Sequence, residues 1–478
     1  MSLLVIALAS CAPAADAAAR TVSVSGPSPF AGCPPRALDG KLPTGAVEPS
    51  VAVNPRDSRA VVAAWTQDRF RGVIVGASAD GGRSWQRAPV PGLTRCTGGA
   101  FDYVDNVWLS AGSDGVFHLS AHVFGDGPAS GRVASRSVDG GRTWSVPVLV
   151  VSEDRPGNGR FSGGAITAEP ADPRSVYSVA PKFSEPFLDG VPYRGRVYVS
   201  RSRDAGRDWD PPVLAYDTGD GALATGHQLL ALPDRTLLDV FTLVRQPGSA
   251  GQSKEIAVMR STDHGAHWSA PATVAGLSSR GTYDPRDHHP VNTGSSLVAA
   301  AAVDPETGRV YVAWQDARFT NGIADAIAAS VSADGGHTWS PPVRVNATPA
   351  TIPVAGRQAF APTVAVARDG TVGVASYDFR HDDDNTPLWT DRWLVRCRPD
   401  LAECAEERLT GTSFDTRAAT DIGVGPPGFF LGSTQGLAAA GRDFLAVFAG
   451  TDGTGDAVVM GRGDGGKRRG RPGSDATG

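Results

Sequence analysis

Ser332-Ala333-Asp334-Gly335-Gly336-His337-Thr338-Trp339 is the last of five copies of one pattern, Ser-x-Asp-x-Gly-x-x-Trp. The others run from Ser78 to Trp85, Ser137 to Trp144, Ser202 to Trp209 and Ser261 to Trp268. Successive tryptophans stand 59, 65, 59 and 71 residues apart, a period that marks one supersecondary unit copied and packed on itself. The pattern reads as a hairpin turn. Asp80, Asp139, Asp204, Asp263 and Asp334 can accept hydrogen bonds from backbone N–H groups a few residues on, Gly supplies a positive φ, and Ser or Thr adds a further side-chain bond. Trp85, Trp144, Trp209, Trp268 and Trp339 then begin the next strand. They are five of the ten tryptophans in the chain, and so large a plug at one repeated position predicts packing between neighbouring sheets.

The octapeptide resembles the Asp-box, or BNR repeat, of sialidases and related β-propellers. Ser84, Thr143 and Thr338 keep the family's Ser or Thr, whereas Asp208 and His267 depart from it. The resemblance implies an all-β propeller of four-stranded antiparallel blades. It implies no reaction by itself, because one fold hosts many functions.

Counting strands outward from the boxes gives seven units, with six as the alternative. Inner strands are expected near Ser50, Val107, Ala165, Leu229, Leu297, Val364 and Leu437. The last unit lacks its fourth strand, and the alternating segment Thr21-Val22-Ser23-Val24-Ser25 is expected to supply it, joining first and last blades and removing a sheet edge. The expected organisation is an export segment over 1–19, one propeller over 20–462 and a disordered Gly/Arg-rich tail over 463–478.

Gly 58 and Pro 36 in 478 residues, with no long helical periodicity, agree with an exported all-β protein. A net charge of -5 argues against nucleic-acid binding. Leu3 to Ala9 is too short an apolar run to span a membrane and leads into Leu8-Ala9-Ser10-Cys11, which resembles a bacterial lipobox with Cys11 as the lipidated residue; cleavage within Ala12 to Ala19 is the alternative. The expected location is extracellular or cell-surface, with membrane attachment only through that lipid, and the chain is expected to be a monomer. Of five cysteines, Cys11 is then the odd one. Cys397 and Cys404 flank the turn where a sixth box would fall and are expected to staple it; Cys33 and Cys96 then pair by default, both bonds being allowed outside the cytoplasm.

Propeller topology puts every box on one face, so chemistry is expected at the opposite mouth. There five units place a cation where the second strand enters its loop: Arg69, Lys182, Arg245, Arg318 and Arg380. A ring of guanidinium groups around one funnel concentrates positive potential and suits a carboxylate or sulfate. The competing reading is a repeat-wide structural ion pair with the Asp one or two residues earlier. Asp287, in Tyr283-Asp284-Pro285-Arg286-Asp287-His288-His289, joins the binding candidates. Sialidases use three arginines, an aspartic acid and a tyrosine nucleophile polarised by a glutamate; by residue type and loop position the resemblance implies Glu48, Asp105, Tyr377 or Tyr103 for these roles, with Asp325 a rival acid. The family's Arg-Ile-Pro motif is absent from the first inner strand, Glu48-Pro49-Ser50-Val51-Ala52-Val53. No cofactor is expected. Asp382, Asp383 and Asp384 offer oxygens to Ca²⁺ without EF-hand spacing, and read equally as a solvated acidic loop.

The function expected first is a sialidase-like exo-glycoside hydrolase acting on an acidic terminal sugar. The alternative is a non-catalytic glycan- or protein-binding propeller at the cell surface, and the third is a uronate lyase.

Overall fold

A computed structural model describes residues 21–462, apart from 185–190, 248–249, 384, 386, 423–426 and 453–456. Cys11, the export segment and the basic tail lie outside the described residues, as does Asp384. Among the described residues the structure is strand, with short 3-10 turns as its helical elements. Antiparallel meanders, mostly four-stranded, follow one another along the chain, the third and fourth being joined into one nine-stranded sheet by a parallel pairing of Arg194 with Ala222. The first comprises Ala46–Asn54, Asp57–Gln67, Gly72–Ser78 and Gln86–Pro89; the next comprises Tyr103–Ala111, Phe117–Phe124, Ser130–Ser137 and Val148–Glu153. Later inner strands are Ala165–Ala168, Ala222–Ala231, Ala300–Val303, Ala359–Val366 and Gly436–Ala440. Each inner strand touches those before and after it, and Gly436–Ala440 touches Ala46–Asn54, so the sheets stand around one axis in a propeller arrangement.

This arrangement explains why the second strands read as continuous apolar runs rather than alternating ones. Val61 to Trp65 and Val310 to Trp314 are buried throughout, because a neighbouring sheet covers each face. The box tryptophans fill the gaps between sheets: Trp85 packs with Val24, Leu445 and Val459 of the last sheet, and Trp144 with residues of the first.

The octapeptide turns form as their chemistry requires. The Gly82 amide donates to Ser78 Oγ at 2.9 Å, the amides of Arg83 and Ser84 donate to Asp80 Oδ1 at 3.0 Å each, and the Ser84 hydroxyl donates to Oδ2 at 2.6 Å. Where the hydroxyl is replaced, the outcome differs. His267 puts Nδ1 2.6 Å from Asp263 Oδ2 and stands in for it, whereas Asp208 keeps its amide bond to Asp204.

The last sheet is completed from the other end of the chain. Val22–Ser23 pairs antiparallel with Ala457–Arg462 in the register Val22 to Gly461, and the amides of Val24 and Val459 add bonds to the Val459 carbonyl and Ser25 Oγ at 2.8 and 2.9 Å. Cys33 is bonded to Cys96 and Cys397 to Cys404. One strand assignment needs correction. Leu297 ends a 3-10 turn, Thr293–Leu297, and its inner strand begins at Ala300; the Ser295 hydroxyl lies 2.9 Å from the Asn292 carbonyl and 2.8 Å from Gln315 Oε1, holding the turn instead of a ladder. Asn292 lies on one of the two connections that pair above the mouth as a small sheet, Thr282–Tyr283 and Pro290–Val291 with Gly428–Phe429 and Asp421–Ile422.

Candidate functional site

Four inner strands carry a β-bulge near the end where they leave the mouth. The register shifts between Val47 and Ser50, Asp105 and Trp108, Thr225 and Gln228, and Phe360 and Thr363. Within these bulges Glu48, Asn106, Gly226 and Ala361 hold left-handed backbone, with φ of 56°, 48°, 69° and 48°. Left-handed backbone is strained for the three that carry a Cβ, and such bulges re-aim side chains where a sheet approaches a site.

Glu48 is the chemical consequence. Its carboxyl accepts from the Asn106 amide at 3.1 Å and from the Ser433 amide at 3.5 Å, and so bridges three inner strands or their leads. Burial, then the negative charge of Asp105, raises its pKa to about 7. Ser433 also reaches it through its hydroxyl. Asp105 Oδ1 lies 2.7 Å from His122 Nδ1, its cross-strand partner in the register. Behind them Arg132 is fully buried, held by Ser120 Oγ and the Gly164 carbonyl at 2.7 Å each, and burial lowers its basicity to about 9.

Two adjoining axial cavities of about 190 and 220 Å³ share Trp108, Gln228, Val298, Ser433 and Thr434 as walls. Among the described residues, no Lys, Arg, Asp or Glu lines either of them. Asn106, Ser433 and His227 line the larger one. His227 Nδ1 lies 2.8 Å from Asp239 Oδ2, and both side chains are fully buried.

The expected arginine ring does not converge. Arg318 turns onto Asp316 at 2.8 Å and onto the Gly276 carbonyl; Arg380 is sandwiched between Asp378 and Glu406, both at 2.6 Å, with its guanidinium 3.6 Å from the centre of the Trp393 ring. Arg245 pairs with Glu255 at 3.1 Å, and Lys182 with Glu153 at 2.8 Å. Asp287 is half exposed and is bound to Arg417 at 2.7 Å. Arg69 differs: Asp68 turns away to the Gly45 amide and Gln67 Nε2, and Arg69 Nε is buried without a hydrogen-bond partner among the described residues. The competing ion-pair reading therefore holds for Arg318 and Arg380. It arises because a bidentate partner two residues away is always in reach.

Neither tyrosine is placed as a nucleophile. The Tyr377 hydroxyl is buried 2.6 Å from the Ala449 carbonyl, and burial raises its pKa well above that of an ordinary phenol, which makes it a weaker acid. Tyr103 donates to Asp126 Oδ1 at 2.9 Å, accepts from the Leu38 amide at 3.0 Å, and is pushed up to about 12 by burial. A lyase's tyrosine base is closed off by the same contacts. Asp325 is a buried hub that accepts from the amides of Arg280 and Gly281, the Ser279 hydroxyl and Gln315 Nε2, pinning a connection to the strand that follows. Asp382 accepts from the Trp389 amide at 3.2 Å and lies 3.5 Å from Arg286, so it faces a cation of the chain itself. Of the residues singled out from sequence, the fold brings Glu48 and Asp105 together. It adds His122, Arg132, His227, Asp239 and Ser433, which no local motif marks; the pairing register that joins His122 to Asp105 exists only once strands are aligned.

No protein-family model and no curated protein sequence matches the chain. Among solved structures it is similar to a Hadza microbial sialidase, with 14% identity over 84% of this chain and 72% of that one and a TM-score of 0.48. It is also similar to a protein of unknown function from Dyadobacter fermentans, with 16% identity over 75% of this chain and 93% of that one and a TM-score of 0.47. A third is a Penicillium chrysogenum alpha-L-arabinanase complexed with arabinobiose, with 15% identity over 72% of this chain and 94% of that one and a TM-score of 0.45. Similarity at this level says nothing of activity.

Proposed function

We propose that the chain is a seven-bladed propeller closed by its own N-terminal strand, and an exo-acting glycoside hydrolase working at the axial mouth. The observation that carries this reading is the pair of carboxyls at the bulges: Glu48, buried and pushed up to about 7, beside the charge of Asp105. A buried carboxyl that keeps its proton toward neutrality, with a second carboxyl beside it, offers an acid and a base from the same residue type. Glu48 gives its proton toward the glycosidic oxygen through the Ser433 hydroxyl, which passes one proton on as it receives another. Asp105, oriented by His122, takes the proton of the attacking water. The glycosidic C–O bond breaks as the water oxygen bonds to the anomeric carbon. The acidic sugar implied by the resemblance is not carried into this reading, because Arg245, Arg318 and Arg380 are bound to acids. In the same reading the chain is a monomer acting on glycans outside the cytoplasm, tethered only by a lipid on Cys11.

Those same ion pairs favour a second reading, a non-catalytic glycan-binding propeller. A panel of fluorogenic sialosides, uronides, arabinofuranosides and hexopyranosides, assayed from pH 4 to 9, separates the two. Turnover that Glu48→Gln abolishes supports hydrolysis, and turnover of no substrate in the panel leaves binding.

A further inference from the structure

One groove among the octapeptide turns is lined by two arginines that no acid answers. It lies between the second and third sheets at the Ser137 to Trp144 turn, has a volume of about 590 Å³, and takes Arg136 from one sheet and Arg207 from the next. Arg136 is partly open to the groove, forms no ion pair among the described residues, and keeps Nε buried without a hydrogen bond. Burial, then the charge of Arg207, lowers its basicity, while Asp114 and Asp204 attract it without pairing. Arg207 is exposed and gives one N–H to the Asp204 carbonyl at 2.9 Å. Two like charges in one groove repel each other, and an anion held by both removes that cost.

The same groove is apolar where the turn does not require it. Val138 is 69% exposed and Val146 75% exposed, and both line it. A sister groove between the fourth and fifth sheets has the same frame, with Arg260, Trp268 and Gly336 where the first has Arg136, Trp144 and Gly206. There, however, Thr262, Ala270, Ala272 and His337 replace Val138, Val146, Val148 and Arg207, and Asp263 adds an acid to the wall. The turn thus forms without the valines and without the second arginine, and an exposed apolar patch that the fold does not need marks a place of contact. Val148 also begins the strand Val148–Glu153, the last of its sheet, with no strand paired on its outer side. That strand, Val-Leu-Val-Val-Ser-Glu, has none of the Lys, Pro or Gly that blunt an edge, and its Leu149 is 48% exposed.

We infer that this groove binds an extended, acidic and aliphatic peptide segment of a partner protein. An acidic side chain sits between Arg136 and Arg207, aliphatic side chains cover Val138 and Val146, and the peptide backbone pairs with the open edge as an added strand. Because strand side chains alternate between faces, the acidic and aliphatic residues stand two apart in the peptide. A lipid headgroup answers the arginines and leaves the edge unpaired; a neutral peptide does the reverse. The groove lies apart from the axial cavities, so the inference stands independently of any hydrolysis there.

The test is peptide binding. A displayed library of random eight-residue peptides is selected on the full chain, and the enriched sequences are synthesised and titrated by fluorescence anisotropy, beside phosphatidylglycerol vesicles in a sedimentation assay. Enriched peptides are expected to carry Asp or Glu two residues from Val, Leu or Ile, and to bind at least tenfold more tightly than their Asn or Gln counterparts. Arg207→Gln, a change at an exposed side chain, and Arg136→Gln are each expected to weaken binding at least tenfold with the melting temperature of the Arg207 variant unchanged; Arg260→Gln, in the sister groove, is expected to leave affinity as it was. Enrichment of no acidic and aliphatic pattern, equal binding of the amide counterparts, unchanged affinity in Arg207→Gln, an equal loss in Arg260→Gln, or binding of the vesicles in place of the peptides overturns the inference.

Discussion

The amide of Asn106 donates to Oε2 of Glu48 at 3.1 Å, so a carboxyl from one inner strand is fastened by the backbone of the next. That bond exists because both residues sit at a bulge in left-handed backbone, with the Asn106 N–H released from its own ladder. A buried acid is stabilised by such amides, yet Glu48 stays near neutrality because burial and Asp105 outweigh them.

The acidity of Glu48 makes stability depend on pH with a definite sign. Its folded value, about 7, lies above the ordinary 4.5. Its contribution is therefore full below pH 4.5 and lost as pH rises through 7. Between pH 4.5 and 8 the melting temperature of the wild type should fall relative to that of Glu48→Gln. Parallel melting curves across that range would show Glu48 to be ordinary.

Arg380 and Arg245 occupy equivalent loops and should behave differently. Arg380 is 8% exposed between two acids that are themselves buried, so Arg380→Ala leaves those charges unpaired and should cost about 3–5 kcal/mol in urea unfolding. Arg245 is 53% exposed, and Arg245→Ala should change stability by less than about 1 kcal/mol.

The octapeptide turns should be acid-sensitive. Hydrogen bonds from Ser84 hold Asp80 down to about 2, and those from His267 do the same for Asp263. Such carboxylates stabilise above the ordinary 3.8, and that stability is lost as pH falls through about 2. Asp80→Ala should cost about 1–2 kcal/mol at pH 7 and progressively less toward pH 2. A constant difference in unfolding free energy between pH 7 and pH 2 would contradict this.

Removing residues 1–25 strips the last sheet of its outer strand and exposes the edge at 457–462. The shortened protein should melt several degrees lower and associate through that edge, which light scattering and circular dichroism measure together. A monomer of unchanged stability would mean that the closure contributes little.

The repeated octapeptide carries its own hydrogen-bond donors and acceptors within eight residues, so the turns, the strand order and the sheet-on-sheet role of Trp85 and Trp144 were legible in the sequence. The alternation of Thr21 to Ser25 likewise pointed to a strand. Leu297 was not legible as a turn, because Ser295 draws its bonds from Asn292 and the distant Gln315.

The site was only half legible. Sequence marked Glu48 and Asp105, and it marked Arg318 and Arg380 without deciding between ligand and ion pair. That choice turns on where a flexible guanidinium finds the nearest buried carboxylate, and only packed neighbours determine it. The protonation of Glu48 and the buried pairing of His227 with Asp239 are likewise products of burial and strand register, which bring separated residues to one axis. What the sequence alone determined was the local turn and its repeat; which polar groups remain free to meet a ligand was decided by the tertiary structure.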